Sequence, residues 1–230
     1  MKTIGMIGGM SWESTAIYYR ILNREVQRRL GGVHSAKALL WSFDMAEIEM
    51  LQAAGDWEGA AKRMAGAACV LAGGGADFLI ICCNTMHILA EAVEEAARLP
   101  LLHIATPLGA AIAARGLTRV GVLGTRYTME ADFLRAPLAR DHNISIVAPV
   151  EEDAQETHRL IYEELSRGKF LDSSRQFLRA AIARLAARGA QGVILGCTEL
   201  SLLVAPGESD IPLFDTAELH ALAAVDMALA

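Results

Sequence analysis

Residues 75–85 read GADFLIICCNT, and residues 189–199 read GAQGVILGCTE. The two segments align without a gap at a spacing of 114 residues, so that Cys83 corresponds to Cys197. In each segment a short apolar run ends at a cysteine followed by small polar residues, the pattern of a buried strand that leads into a turn. The repeat therefore predicts two homologous α/β units, each with a cysteine at the end of a strand.

Two further blocks repeat in the same order along the chain. IGMIGG from Ile4 matches VGVLGT from Val120, and LPLLHIAT from Leu99 matches IPLFDTAE from Ile211, at spacings of 116 and 112 residues. A generic likeness among strand–turn units could also account for any one of these matches. Three ordered matches, each about half the chain apart, favour a duplicated unit.

Short apolar runs alternate with amphipathic helical stretches, which is the pattern of an α/β fold with mostly parallel sheets. We expect two similar α/β lobes related by a pseudo-twofold axis, with the active site in the cleft between them. The N-terminal lobe is predicted at 1–104, completed by 212–230, and the C-terminal lobe at 105–211. The predicted strands are Thr3–Ile7, Ala38–Ser42, Phe78–Cys82, Leu101–Ile104, Arg119–Leu123, Ile144–Ala148, Gly192–Leu195 and Leu213–Phe214.

Composition narrows the classes of protein that this chain can represent. Its 230 residues are 53% apolar, enough for a sizeable core, and a net charge of −6 with no long basic run argues against nucleic acid as a partner. No uninterrupted apolar stretch of 18 residues and no secretory signal are visible, so we expect no membrane association and a cytoplasmic location. The cysteines show neither paired zinc spacing nor a disulfide framework, and a reducing compartment keeps them as thiols.

The duplicated cysteine suggests a specific chemistry. Ligands of open α/β sheets bind beyond the carboxyl ends of the strands, where Cys83 and Cys197 are both predicted. Two equivalent thiols on opposite sides of one carbon suit racemisation or epimerisation, in which one group removes a proton and the other returns one. Asn84, Thr85 and Thr198 follow the cysteines and could bind a substrate carboxylate together with backbone amides at a helix start.

Several of the individual residues also fit a purely structural role or a different reaction. Cysteine is often a packing residue. Cys82 should point to the face of its strand opposite to Cys83, and Cys69 lies on the predicted helix GAAKRMAGAACVLAGG, so we assign both to the core. His87 could polarise the Cys83 thiol or could cap and pack against the loop. A cysteine hydrolase with Cys83 as nucleophile and His87 as base, or a non-catalytic binding protein, are rival functions, although neither explains why Cys197 repeats Cys83.

Five segments together carry a resemblance to a known family. They are IGMIGGMSWESTAIYYRILN from Ile4, IICCNTMH from Ile80, LGTRYTME from Leu123, GVILGCTELSLLV from Gly192 and PLFDTAELHA from Pro212. The chain resembles the aspartate/glutamate racemase family over its full length, and is nearest to the aspartate racemase branch, including broad-specificity and L-aspartate/L-glutamate members.

This resemblance implies a cofactor-independent racemase that acts on a small amino acid, without pyridoxal phosphate or a metal ion, and it allows a homodimer. Cys83 and Cys197 would be the two acid/base residues. Hydantoin racemisation and maleate isomerisation are related activities that would use the same pair. The residues implied to line the substrate site are Met10, Ser11, Asn84, Thr85, Thr128, Thr198 and Glu199.

The ligand for the distal carboxylate of the substrate is implied less directly. Some aspartate racemases carry an Arg after the second strand, whereas FDMAEIEMLQ from Phe43 contains none, and Gln52 is the nearest candidate. Arg167 or Lys169, in ELSRGKF, could supply a cation instead. Each of these two could equally be an exposed cation at a helix end.

Overall fold

The computed structural model describes residues 1–204 and 207–230. Contacts between Cα atoms divide the chain into two compact units, the first formed by Met1–His103 with His220–Ala230 and the second by Ile104–Leu219. The described strands form two parallel sheets, as an α/β fold requires. The strands are β1 Ile4–Gly8, β2 Ala38–Ser42, β3 Phe78–Ile81, β4 Arg119–Gly124, β5 Ser145–Val147, β6 Val193–Gly196 and β7 Leu213–Asp215.

Helices occupy most of the connections between these strands. Ser11, Asp44, Asp56 and Thr125 cap the starts of four of them with side-chain oxygens that accept backbone N–H groups. Within the described residues, no helix is both long enough and apolar enough to span a membrane. The helices are α1 Trp12–Leu30, α2 Met45–Ala54, α3 Trp57–Gly73, α4 Ala90–Ala97, α5 Ala105–Ala113, α6 Arg126–Glu130, α7 Asp132–His142, α8 Glu151–Glu163, α9 Asp172–Ala187, α10 Leu200–Leu203 and α11 Thr216–Leu229.

The two sheets share one strand order. The first is β2-β1-β3 and the second is β5-β4-β6-β7, so the strands that precede the two cysteines hold the same place in their sheets. The predicted strand Leu101–Ile104 is reduced to a single parallel bridge between Leu79 and Leu101, which repeats the pairing of Val193 with Leu213 in the second sheet. The topology thus carries the internal repeat that the sequence indicates.

The boundary of the first unit differs from the predicted one. The sequence assigned 212–230 to the first lobe, whereas β7 pairs with β6 in the second sheet and the segment that joins the first unit starts at His220, inside α11. Backbone pairing decides this point, since Val193 N–H donates to Pro212 O at 2.8 Å and Leu195 lies opposite Asp215.

In the first unit, β1 and β3 pack against α3. The core there contains Ile7, Met64, Leu79 and Ile81, all completely buried. The buried residues of α3 are Ala60, Met64, Ala67, Ala68 and Leu71, which follow the spacing of one helical face.

Cys69 does not belong to that buried face of α3 and is exposed, so the expectation that it packs in the core is wrong. Its Sγ donates to Ala96 O at 3.4 Å. Cys82, by contrast, is completely buried, as expected for a packing residue.

The second sheet is covered on both faces. Leu123, Val193 and Leu195 face one apolar cluster with residues of α8 and α9, while Val122 and Ile194 face another with residues of α5 and α7. Alternate strand residues therefore enter opposite cores, which explains why the strand sequences are apolar at nearly every position.

Candidate active site

The first cysteine segment begins where β3 ends. Cys82 N–H still donates to Ile7 O at 2.9 Å, and the chain then turns through Cys83 and Asn84 into a 3₁₀ helix at Thr85–Leu89. Cys83 is partly exposed, whereas Asn84 and Thr85 are buried. A buried strand thus delivers a reachable thiol beside two buried polar side chains.

His87 fixes the backbone of this segment. Its Nδ1 lies 2.8 Å from Cys83 O, and since a carbonyl only accepts, this ring nitrogen carries the proton. Burial is the largest cause that lowers the pKa of His87 well below its usual value, and the neighbouring His220 and His103 lower it further. The ring is therefore neutral at pH 7. Of the two roles predicted for His87, the structure shows the contact with the loop backbone.

Gln52 lies beside the same segment. It is buried on α2, and its Nε2 donates to Met86 Sδ at 3.2 Å. Met86 stands three residues after Cys83, so this contact brings Gln52 close to the cysteine turn.

The turn after β1 supplies a second group of polar side chains to the first unit. Gly9 has a φ of +85°, and a Cβ atom there would overlap the backbone of Phe43, so glycine is required. Met10 and Ser11 are buried. The Oγ of Ser11 accepts the N–H of Ser14 at 3.3 Å and lies 3.4 Å from the Oγ of Ser14.

The same arrangement of hydroxyl groups recurs in the second unit. Thr125 Oγ1 accepts the N–H of Thr128 at 3.2 Å, and the two Oγ1 atoms are 3.2 Å apart. The pair Ser11–Ser14 and the pair Thr125–Thr128 are separated by 114 residues, the spacing of the two cysteines. Ser14 and Thr125 were not predicted from the sequence, although the helix-cap pattern at this spacing is a signal that could have found them.

The second cysteine segment follows β6 directly. Cys197 is partly exposed, while Thr198 and Glu199 are buried. Thr128 packs on the strand end just before it, because a Cβ atom built on Gly196 would lie only 2.7 Å from Thr128 Cγ2. The structure thus brings Thr128, Cys197, Thr198 and Glu199 to one end of the second sheet.

Glu199 holds the polar contacts of this segment together. Its Oε2 accepts the Cys197 thiol at 2.9 Å and the Thr198 hydroxyl at 2.7 Å. The Thr198 hydroxyl proton is therefore directed to Glu199.

Arg167 and Lys169 lie in a different part of the second unit. Arg167 ends the 3₁₀ helix Leu165–Arg167, and the backbone N–H groups of both residues donate to Glu164 O, at 3.0 and 2.9 Å. Both side chains are exposed. Their role at the distal carboxylate of a substrate stays a prediction.

Comparison with known proteins identifies the family of this chain. Residues 7–224 match the family model described as Asp/Glu/Hydantoin racemase. The chain belongs to this racemase family. Membership of a racemase family supports an isomerase.

Solved structures of similar proteins cover the whole chain. A proposed Asp/Glu racemase from Yersinia pestis is 48% identical with a TM-score of 0.93, and each chain is covered completely. An aspartate racemase homologue from Pyrococcus horikoshii OT3 is 32% identical with a TM-score of 0.84, again over 100% of both chains. These likenesses place the chain's fold among those of the racemase family.

A protein named glutamate racemase, from Koribacter versatilis (strain Ellin345), is 29% identical to this chain over 177 residues. The match takes in 71% of this chain but 57% of that relative, so the chain spans little more than half of its length.

Proposed function

We propose that this protein racemises aspartate, glutamate or both without a cofactor, using Cys83 and Cys197 as the two acid/base groups. The observation that supports the proposal most strongly is the equivalent placement of the two thiols. Each is partly exposed after the corresponding strand of its own sheet, beside buried polar side chains. A single nucleophilic cysteine would not require this duplication.

The proposed reaction moves one proton at each face of the α-carbon. One cysteine, as thiolate, takes the α-proton and becomes a thiol, and the electron pair stays on the carbon as an enolate-like carbanion. The other cysteine, as thiol, gives its proton to the opposite face and becomes a thiolate. A free thiol has a pKa of about 8.5, near enough to neutrality for both protonation states to be accessible.

The buried polar side chains would bind the α-carboxylate and stabilise the developing negative charge. Asn84, Thr85 and Thr128 are buried in the segments that follow β3 and β4. Fixed donors of this kind stabilise charge that develops during the reaction more than water does. Met10 and Ser11, in the turn after β1, complete the proposed substrate-binding set.

The two thiols have to stay reduced for this chemistry, which fits a reducing compartment such as the cytoplasm. Neither pyridoxal phosphate nor a metal ion is needed for the two proton transfers, because both acid/base groups come from the chain. For the distal carboxylate of the substrate, Gln52, Arg167 and Lys169 are the proposed ligands.

Incubation in D₂O with a panel of substrates tests the proposal. We expect L- and D-aspartate or glutamate to lose the α-proton signal in proton NMR, and chiral analysis to show the opposite enantiomer. A hydantoin and maleate belong in the panel, because they identify the related isomerase activities. If no amino acid exchanges its α-proton, the proposed function is wrong.

A further inference from the structure

Glu199 is the side chain that distinguishes the two cysteine segments. Its carboxylate is 3% exposed, and a single oxygen, Oε2, accepts both the Cys197 thiol and the Thr198 hydroxyl. Thiols are weak donors to neutral acceptors, but an ionised acceptor shortens and strengthens such a bond. The contact with Cys197, at 2.9 Å, is short for a bond that involves sulfur.

The internal repeat shows what stands at the corresponding position of the first segment. The 114-residue spacing that aligns Cys83 with Cys197 aligns Thr85 with Glu199. A neutral hydroxyl in one half therefore corresponds to a buried carboxylate in the other. Both halves have the thiol, but only the second half has a charged residue two positions after it.

A buried carboxylate beside a thiol makes loss of the thiol proton less favourable. Loss of that proton would leave two negative charges 2.9 Å apart in a poorly solvated place, and it would also remove the donor of the hydrogen bond. Both effects favour the protonated sulfur. In the structure the thiol is the donor of this bond and the carboxylate oxygen is the acceptor.

We infer that Glu199 is a positioning residue that holds the proton of the resting enzyme on Cys197. This inference rests on the proposed role of Cys197 as an acid/base group. The resting enzyme then has Cys197 as its acid, and the enantiomer whose α-proton Cys83 removes is the one that it accepts first. After that turnover Cys197 is a thiolate beside Glu199, the less stable of the two protonation states.

Two charged groups on neighbouring elements have hydrogen-bond or ion-pair partners of their own. On β7, Asp215 Oδ1 accepts the N–H groups of Ala217 and Glu218 at the start of α11. On α9, Arg184 pairs with Asp153. The Glu199 carboxylate, in contrast, accepts the hydrogen bond of the Cys197 thiol.

The pH dependence of alkylation tests the inference, because iodoacetamide reacts with the thiolate. The rate at each cysteine would be followed by mass spectrometry of its peptide over a pH series that spans the usual thiol range. The midpoint is the pH at which the alkylation rate of a cysteine reaches half its maximum. In the unmodified protein the midpoint for Cys197 should lie above that of the exposed Cys69. In Glu199→Gln, which keeps an acceptor oxygen but removes the charge, the Cys197 midpoint should fall by about one pH unit or more.

Glu58→Gln is the matched control, since it removes the same charge from an exposed position of the first unit. It should leave the Cys197 midpoint unchanged. Protection of the buried Cys82 in the same digest reports that a variant is folded. Should Glu199→Gln expose Cys82, the comparison of Cys197 with Cys69 in the unmodified protein decides instead.

Either of two results overturns the inference. The first is an unchanged Cys197 midpoint in folded Glu199→Gln, and the second is a Cys197 midpoint at or below that of Cys69 in the unmodified protein. The outcome is separate from that of the proposed function. Racemisation without the shift would leave the function standing and remove the role of Glu199. A shift without any racemisation would leave the effect of Glu199 on the thiol standing and remove the proposed function.

Discussion

Tyr18 Oη lies 2.9 Å from Nδ1 of His220, a residue 202 positions further along the chain, and both side chains are buried in the first unit. The other ring nitrogen of His220, Nε2, donates to Leu102 O at 2.8 Å, so Nδ1 is the acceptor and the tyrosine hydroxyl donates to it. The neutral imidazole thus links α1 and α11 to the segment that contains Leu102. A proton added to Nδ1 would break the bond from Tyr18.

The buried, neutral His220 should make the protein less stable in mild acid. Burial, as the largest cause, lowers the pKa of His220 from 6.5 to about 4. Between these values the unfolded chain binds a proton that the folded one does not, so stability falls as the pH falls from about 6.5 to about 4. His220 alone should cost about 2 kcal/mol between about pH 7 and about pH 5, measured by urea unfolding.

His220→Gln is the variant that isolates this effect, because glutamine can donate to Leu102 O and accept from Tyr18 but does not titrate. Its stability should depend less on pH over the same window, even if it is lower at neutral pH. Equal slopes for the two proteins would show that His220 is not the group responsible.

Gly196→Ala should damage the end of the second sheet. A Cβ atom there would lie 2.7 Å from Thr128 Cγ2 and 3.1 Å from Leu123 O, so Thr128 would have to move away from the cysteine turn. We expect a loss of about 1–3 kcal/mol in the free energy of unfolding and a larger relative loss of racemase activity. Both can be measured on one preparation.

Gly66→Ala is the matched control for that substitution. Gly66 lies inside α3 with open space around its Cα, and alanine there should stabilise the protein by about 1 kcal/mol without changing activity. If both alanine variants behaved alike, the contact between Gly196 and Thr128 would have no importance for the site.

The sequence predicted much of this fold because its repeat and its apolar runs carry the information. The strands that lead to Cys83 and Cys197 are short, apolar and bounded by turn residues, and the parallel α/β fold is confirmed. Cys69 lies off the buried face of α3, although the predicted helix pattern and the usual burial of cysteine favour a core position for it.

Two features of the structure could not be predicted from the sequence. Whether Leu101 starts a strand or forms one bridge depends on how many backbone bonds it makes with β3, and the apolar pattern is the same in both cases. Likewise, the letters CTE do not show that the Glu199 carboxylate turns back to the Cys197 thiol. Local geometry of the turn after β6 determines that contact.

Removal of one thiol should separate proton exchange from inversion. Cys197→Ala and Cys83→Ser are each expected to reduce racemisation by about 10² to 10⁴-fold, since each removes one of the two proposed acid/base groups. A variant that keeps one of these two thiols can still exchange the α-proton of one enantiomer with D₂O without inverting it. Proton NMR follows the exchange and chiral chromatography follows the inversion.

Cys69→Ser provides the control for these variants, because Cys69 is exposed on α3. Its activity should equal that of the unmodified protein. Full turnover in Cys197→Ala would contradict the scheme with two bases, whatever the control shows.

Substitution of the two exposed cations tests which group binds the distal carboxylate of the substrate. Lys169→Gln and Arg167→Gln each remove a positive charge from the segment after α8, where both side chains are exposed. A charge-assisted hydrogen bond to a carboxylate contributes about 1.5–3 kcal/mol, so loss of the true ligand should raise KM for aspartate by roughly 10- to 100-fold. Lys62→Gln, which removes a positive charge from an exposed position of the first unit, should leave KM for aspartate unchanged. If KM for aspartate also stays unchanged in Lys169→Gln and Arg167→Gln, neither cation binds the distal group, and Gln52 becomes the residue to substitute, because it is buried beside Met86 in the first cysteine segment.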